Sequence, residues 1–459
     1  MQDKNYKFYT DALNAYYREL NFVPKVYVVT YGCQQNVSDS EILKGFLSEI
    51  GCQFCDKPEF ADIVVFNTCA VREHAELKVY GNIGALKPIK RKKPDLKIAL
   101  CGCMMQQEKV QKDIKSKYPY VDIVFGPSLI YKFPEMLFKS VVEGKKTYDR
   151  TENTEIFEDL PVKRAENNKA WVTVMYGCNN FCTYCIVPYL RGRERSRHIE
   201  HVIDEVKNLV AEGFKDITLL GQNVNSYGKD LKLGYDFSDL LIKLNEIEGD
   251  FWIRFMTSHP KDCSTKLIDT MASCNKVCNQ LHLPFQSGNN RVLSAMNRNY
   301  TREKYISLIE YAKEKMPDIT ITSDVIVGFP GETYEEFMDT PKLVEQLRFD
   351  NLFTFIYSIR SGTPAAEMLE QVPAEEKSKR FDILLKTLHP ISKQKNDLLV
   401  GKVLKVFVEG ISKSNNDVLT GKTEGGKTVD FKGSKDLIGE FVNVKIVESK
   451  TWFLIGELI

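Results

Sequence analysis

Cys178, Cys182 and Cys185 form a CxxxCxxC run inside MYGCNNFCTYCIVPYLRGRERSR, directly after an apolar segment that reads as a strand. Three thiolates on one short loop can bind three irons of a [4Fe-4S] cluster and leave the fourth iron open. An open iron can chelate the amino and carboxylate groups of S-adenosylmethionine and set its sulfonium beside an electron donor. That is the arrangement for reductive cleavage to a 5′-deoxyadenosyl radical. Structural zinc is the competing use, but such sites want four ligands, typically in CxxC knuckles, and no fourth Cys or His stands at that spacing.

The segment MQDKNYKFYTDALNAYYREL lacks the basic head, apolar stretch and cleavage site of a secretory signal, and no run approaches the roughly 18 apolar residues that span a bilayer. The expectation is a cytoplasmic protein with no membrane partner. There, the twelve cysteines serve as metal ligands or small buried hydrophobes rather than disulfides. With 63 basic and 62 acidic residues, no global field draws the chain to a polyanion, so any such site is local. A length of 459 residues predicts two or three domains.

The expected fold class is α/β with a small β-barrel appended. From 24 to 140, the apolar runs KVYVVTYG, DIVVFNT, LKIALCG and DIVFG alternate with helical patterns, which predicts a parallel sheet covered by helices. Ser38 and Glu41 have capping-box spacing at the start of one such helix, and Gly51 can stop it. The polar stretch from Asp149 to Lys169 has no apolar periodicity and reads as a linker. From 164 to 395, six strand-like runs separated by helical patterns predict a partial (β/α)6 barrel, a pattern a doubly wound sheet would share. From 398 to 459, KVLKVFVEG, FVNVKIVE and WFLIGELI, broken by SNND and EGGK turns, predict a small antiparallel β-barrel.

Cys33, Cys69 and Cys103 each follow a predicted strand of the first region. In a parallel sheet such strand ends share one edge, where ligands bind, so three thiolates could converge on a second cluster; chance or packing explains three such cysteines equally well. Cys101 ends a strand and is expected to be buried, and Cys52, Cys55, Cys263, Cys274 and Cys278 lack a coherent ligand set. Thr257, Ser258 and His259 follow the third strand of the second region, and His282, Gln286 and Ser287 lie around the fourth. Their polar groups suit ribose or carboxylate binding, or plain structural hydrogen bonds. Arg191, Arg193, Arg195 and Arg197 alternate, so an extended segment would aim all four to one side, toward RNA phosphate, a carboxylate or solvent.

The motifs YGCQQNVSDSE, FNTCAVRE, GCNNFCTYCIVPYLRGRERSR, LLGQNVNSYG, TSHPKD, LPFQSGNNRVLSAMNR and DVIVGFPGET resemble, in order and spacing, the methylthiotransferase family of radical S-adenosylmethionine enzymes. The resemblance runs from about residue 24 to the end and is strongest to the bacterial branch that acts on dimethylallyl-adenosine of tRNA. It implies an N-terminal domain, a radical barrel and a C-terminal TRAM domain. It assigns Cys33, Cys69 and Cys103 to an auxiliary [4Fe-4S] cluster beside the one on Cys178, Cys182 and Cys185. Two departures stand out: Gln35 replaces the family's usual Met, and Cys101 could compete with Cys103.

The reaction implied by the resemblance replaces a hydrogen at the 2-position of an isopentenylated adenosine next to the tRNA anticodon with a methylthio group. One S-adenosylmethionine methylates sulfur on the auxiliary cluster and a second is cleaved to the radical. The family places Gln222, after Gly221, near the cofactor's amino group and runs the turn from Asp324 to Glu332 along its adenine. Ser258, His282 and Gln286 complete the cofactor-binding set. The implied partners are the tRNA anticodon stem-loop and a reducing electron-donor protein, with the chain a monomer. The TRAM-like tail carries nine Lys, no Arg and eight acidic residues, so RNA binding there rests on the resemblance alone. Sister branches act on threonylcarbamoyl-adenosine of tRNA or on a ribosomal-protein aspartate; NTCAVRE and TSHPKD favour the dimethylallyl branch. An RNA-binding protein whose clusters are structural or carry electrons is the reading from another class.

Overall fold

The computed structural model describes residues 5–70, 73–164, 168–413 and 415–459. Val71 and Arg72 of FNTCAVRE, residues 165–167 of the polar stretch and Ser414 of the SNND turn lie outside the described residues. The chain divides into two compact units: one runs to about residue 164 and includes Tyr176–Cys178 and Ile186–Arg195, and the other holds the remainder. No helix among the described residues is long and apolar enough to cross a membrane.

In the first unit six strands form one all-parallel sheet in the order Gln53–Phe54, Lys25–Thr30, Ile63–Thr68, Lys97–Gly102, Ile123–Phe125, Thr147–Asp149. Ile63–Thr68 is buried along its whole length, because the sheet is covered on both faces. Val64, Phe66, Ile98 and Leu100 enter one apolar cluster, and Ile63, Val65, Ala99 and Cys101 enter the other, as the two-residue period of a strand demands.

The helix after the first strand begins earlier than its capping-box pattern indicates. It spans Gln34–Glu49 with Cys33 at the N-cap, so Ser38 and Glu41 lie inside it and do not cap it. Gly32, at φ +112°, has already turned the chain, and Glu41 instead pairs with Arg164 at 3.3 Å. Gly51, at φ +91°, does stop the helix: the Cys52 amide donates to the Leu47 carbonyl and the Gly51 amide to that of Ser48. A helix over Asn5–Glu19, outside the family-like region, packs Leu13 and Tyr17 into this core, and Asn14 Nδ2 donates to the Glu49 and Ile50 carbonyls. The polar stretch is likewise docked rather than free, with Phe157 stacked on Tyr131 at 3.8 Å between ring centroids.

In the second unit, the parallel strands Lys169–Thr173, Asp216–Leu220 and Trp252–Phe255 form one sheet. Gln280–His282, Thr320–Val327 and Asn351–Ile356 form another, also parallel. A parallel bridge from Ile253 to Val277 links them into one six-stranded partial barrel wrapped by helices. Val403–Ile411, Leu419–Thr423, Thr428–Phe431, Phe453–Leu458 and Phe441–Ser449 close a second barrel. It is not wholly antiparallel, since Thr428–Phe431 and Phe453–Leu458 run parallel. An odd number of strands cannot alternate direction all the way around a closed ring, so one parallel pair is unavoidable.

The small barrel docks on the amino ends of the six partial-barrel strands. Lys169 pairs with Glu409 and Lys215 with Glu440, while Trp252, Cys278 and Phe407 share an apolar contact with Phe441. The EGGK turn presses on strand starts: a Cβ at Gly425 would collide with Thr320 Oγ1, and one at Gly426 with Gln280 Oε1. Arg254 ties the joint together. Its Nε bonds Asp216 at 3.0 Å, Nη1 donates to the Glu424 carbonyl at 2.7 Å and Nη2 to that of Thr423 at 2.9 Å.

Asp216 is 1 % exposed, so Arg254→Ala strands a buried carboxylate and should cost about 3–5 kcal/mol. Lys405→Ala, which breaks an exposed pair with Asp250, should cost under about 1 kcal/mol. Thermal melts of the two variants check the contrast.

Candidate active site

The parallel register brings the first unit's three cysteines to one edge. Thr30 stands opposite Asn67, and Thr68 opposite Gly102, so Cys33, Cys69 and Cys103 leave adjacent strands at their carboxyl ends. A Cβ on Gly32 would collide with Cys69 Cβ and lie 2.7 Å from its Sγ, which shows how tightly the two loops meet. Asn36 and Asn67 knit them further. Asn36 Nδ2 donates to the Thr68 carbonyl at 2.9 Å, Asn67 Nδ2 to the Asn36 carbonyl at 2.8 Å, and Cys33 Sγ to Asn36 Oδ1 at 3.4 Å.

Burial pushes the Cys103 thiol up to about 12, the Arg191 guanidinium opposes this, and the charges of Cys33 and Cys69 add to it. Cys33 and Cys69 therefore both lie close enough to Cys103 to act on it electrostatically. Cys101 is fully buried in the opposite apolar cluster with Ala99 and Phe125, pointing away from that edge. No three His, Cys, Asp or Glu among the described residues close tightly enough to hold a single metal ion. An iron–sulfur cube is wider than one ion, and three soft thiols at a shared edge are the donor set that suits it.

Cys178 is 9 % exposed, and its amide donates to the Gly192 carbonyl at 3.1 Å. In the second unit, Cys182 is 7 % exposed, and the Cys185 amide donates to the Cys182 carbonyl at 2.9 Å. Arg298, 4 % exposed, donates from Nη1 to Cys182 Sγ at 3.5 Å, from Nη2 to the Pro284 carbonyl at 2.6 Å and from Nε to Tyr300 Oη at 3.3 Å.

Gln222, Ser258, His259, His282 and Gln286 lie at or just past the carboxyl ends of the partial-barrel strands, away from the docked small barrel, and Asp324 lies within Thr320–Val327. Asn225 Nδ2 donates to the His259 carbonyl at 3.0 Å and Asn225 Oδ1 accepts from the His259 amide at 2.9 Å, tying the LLGQN and TSHPKD loops together. Thr257 at φ +70° and Gln286 at φ +66° adopt left-handed backbone, a strain of about 1–3 kcal/mol each that concentrates at ligand sites. Ser258 Oγ, His259 Nε2 and Gln286 Oε1 are buried without a hydrogen-bond partner among the described residues. Burial, with help from Arg298, Lys261 and Lys229, holds His259 neutral. Its Nδ1 accepts from the Lys261 amide, so the ring proton sits on the unpartnered Nε2. Buried orphan groups of both polarities fit a polar ligand such as S-adenosylmethionine. His282 Nδ1 contacts Thr322 Oγ1 at 3.0 Å and its Nε2 lies 3.4 Å from Asp324, so these two form a pair of their own; Gln222 is half-buried.

The turn after Asp324 is locked by Glu332, whose Oε2 accepts from the Gly328 amide at 2.9 Å and from Arg380 at 3.3 Å. The arginine ladder does not form. Arg191 ends a short helix, Val187–Arg191, and is buried on Cys103 and Asp39; Arg195 donates to the Asn153 carbonyl; Arg197 pairs with Glu205; Arg193 alone of the four is exposed. A helical residue at the start of the run breaks the alternation an extended segment requires. Asn36, Asp39 and Arg298 are further site residues; the first two fall three and six places after Cys33, a spacing that marks one helix face.

Gly32→Ala should lower stability by at least about 3 kcal/mol, combining backbone strain with the collision at Cys69. Gly144→Ala, at φ +67° with open space around it, should cost about 1 kcal/mol. Anaerobic denaturant melts of the two variants provide the comparison.

Known proteins share this organisation. The uncharacterized protein family UPF0004 matches residues 25–126, the Radical SAM superfamily residues 172–344 and the TRAM domain residues 397–459. The radical S-adenosylmethionine methyltransferase TsrM from Kitasatospora setae superposes with a TM-score of 0.56 at 16 % identity, over 75 % of this chain and 77 % of that one, and so shares the fold. A tRNA-2-methylthio-N(6)-dimethylallyladenosine synthase from Acetivibrio thermocellus is 54 % identical over 431 residues, covering 94 % of this chain and 90 % of its own. A synthase of the same name from Alkaliphilus oremlandii is 52 % identical over 450 residues, covering 98 % and 95 %. The chain therefore belongs to the methylthiotransferase family of radical S-adenosylmethionine enzymes, in the branch of the tRNA-2-methylthio-N(6)-dimethylallyladenosine synthases.

Proposed function

We infer that this protein is a transferase that adds a methylthio group to the 2-position of dimethylallyl-adenosine in tRNA, using [4Fe-4S] clusters and S-adenosylmethionine. The observation that carries this reading is 54 % identity to a synthase of that activity across 94 % of the chain. We assign the radical-generating cluster to Cys178, Cys182 and Cys185 and the auxiliary cluster to Cys33, Cys69 and Cys103. The proposed working regions are 24–140 for the auxiliary cluster, 164–395 for the radical core and 398–459 for the TRAM domain.

When bound, the two clusters supply the electron that cleaves S-adenosylmethionine and the sulfur of the transferred group. The chain's own residues bind and orient. The Ser258 hydroxyl and Gln286 Oε1 offer buried polar contacts to the cofactor, and His259, held neutral by burial with Nδ1 accepting from the Lys261 amide, offers Nε2–H as a donor. Asp324, 3.4 Å from His282 Nε2, offers oxygens to ribose hydroxyls, and Gln222 contributes a neutral amide near the cofactor's amino group. The anticodon stem-loop of tRNA is the macromolecular substrate, a reducing protein delivers the electron, and the chain works as a cytoplasmic monomer.

Deleting the gene should remove the methylthio group from digested tRNA while leaving dimethylallyl-adenosine in place, as read by mass spectrometry; unchanged methylthio content would refute the assignment. Cys103→Ala should lose about half of the reconstituted iron, whereas Cys101→Ala should keep it and lose only core stability, about 1–2 kcal/mol. Iron content decides between them, and the reverse pattern would move the third ligand to Cys101.

A further inference from the structure

Arg191 is a cation bonded to the first unit's cysteine edge, and its environment is built around that contact. Its Nε donates to Cys103 Sγ at 3.1 Å. Its Nη2 donates to Asp39 Oδ2 at 2.7 Å and lies 3.3 Å from Asn36 Oδ1, the same oxygen that accepts from Cys33. The Arg191 and Asp39 side chains are 6 % and 3 % exposed. A buried ion pair is a poor way to stabilise a fold, since well-packed apolar side chains of similar volume do as well or better. What the pair does provide is a fixed direction: Asp39 takes the far end of the planar guanidinium and leaves Nε aimed at sulfur. Cys101, two residues before Cys103, sits in an apolar cluster with no such partner in the described contacts.

We propose that Arg191, held in place by Asp39, sets the reduction potential of the auxiliary cluster through its charge and its hydrogen bond to Cys103 Sγ. This rests on the reading that Cys103 is a ligand of that cluster. Reduction by one electron, supplied by an external reductant, adds one negative charge to the cluster and its thiolates. A guanidinium at hydrogen-bond distance from a ligand sulfur favours the more negative state and raises the potential; hydrogen bonds to sulfur and local charge are established determinants of cluster potentials. Arg191 is a positioning residue here, acting on the cluster through Cys103. Arg298 on Cys182 is a looser counterpart, at 3.5 Å and with its other nitrogens on a carbonyl and a phenol rather than a carboxylate.

The test uses the full chain with Cys178, Cys182 and Cys185 replaced by Ala, so that only the auxiliary cluster assembles, and titrates it with dithionite while its electron paramagnetic resonance is recorded. In that background Arg191→Lys keeps the charge but loses the directed fork. The pair Asp39→Asn with Arg191→Gln removes both charges and leaves no buried carboxylate stranded. Both variants should retain iron, with midpoint potentials more negative than the parent's and the double substitution shifted further. An unchanged midpoint with iron retained would overturn the proposal. So would loss of iron from both variants alone, which would make Arg191 a residue of cluster retention. A parent that takes up no iron would instead overturn the ligand assignment beneath it.

Discussion

Parallel pairing in the first unit is the constraint from which its site follows. Because Lys25–Thr30, Ile63–Thr68 and Lys97–Gly102 run the same way in adjacent register, residues separated by dozens of positions leave the sheet at one edge. The helices covering both faces exclude water from the strands, so polar function is confined to that edge. Strand alternation alone would leave Cys101 and Cys103, two residues apart, on the same face. Cys101 lies within the strand and faces one apolar cluster, while Gly102 at φ +94° ends the strand and turns the next residue, Cys103, into the opposite cluster beside Arg191.

The second unit obeys the same directional rule to a different end. Its parallel strands present Ser258, His259 and Gln286 just past their carboxyl ends and give their amino ends to the small barrel. Arg254 secures that joint through Asp216 and two carbonyls of the EGGK region. The TRAM domain therefore commits part of its surface, including that turn, to the radical core.

Much of this was legible in the sequence where chemistry demands a local pattern. CxxxCxxC announces itself by spacing, and the six strand-like runs correspond to the six strands of the partial barrel. The cysteines at 33, 69 and 103 were legible only as strand ends, because their convergence depends on pairing partners far along the chain. Patterns shared by several structures misled. Ser38 and Glu41 mimic a helix start but sit mid-helix, since Gly32 turns the chain earlier, and the Arg191–Arg197 alternation mimics a strand although Arg191 closes a helix. The odd strand count that forces one parallel pair in the small barrel, and the docking of EGGK onto strand starts, are tertiary facts with no local signature.

The central claim is that one chain carries two cysteine sites with separate duties. The most direct measurement gives reduced, iron-loaded protein carrying Cys33→Ala, Cys69→Ala and Cys103→Ala both S-adenosylmethionine and dimethylallyl-adenosine tRNA, then quantifies 5′-deoxyadenosine and methylthiolated nucleoside. Continued 5′-deoxyadenosine without any methylthio product is the predicted result. Methylthio product at the wild-type level, or loss of 5′-deoxyadenosine from a variant that still holds its remaining cluster, would contradict the account.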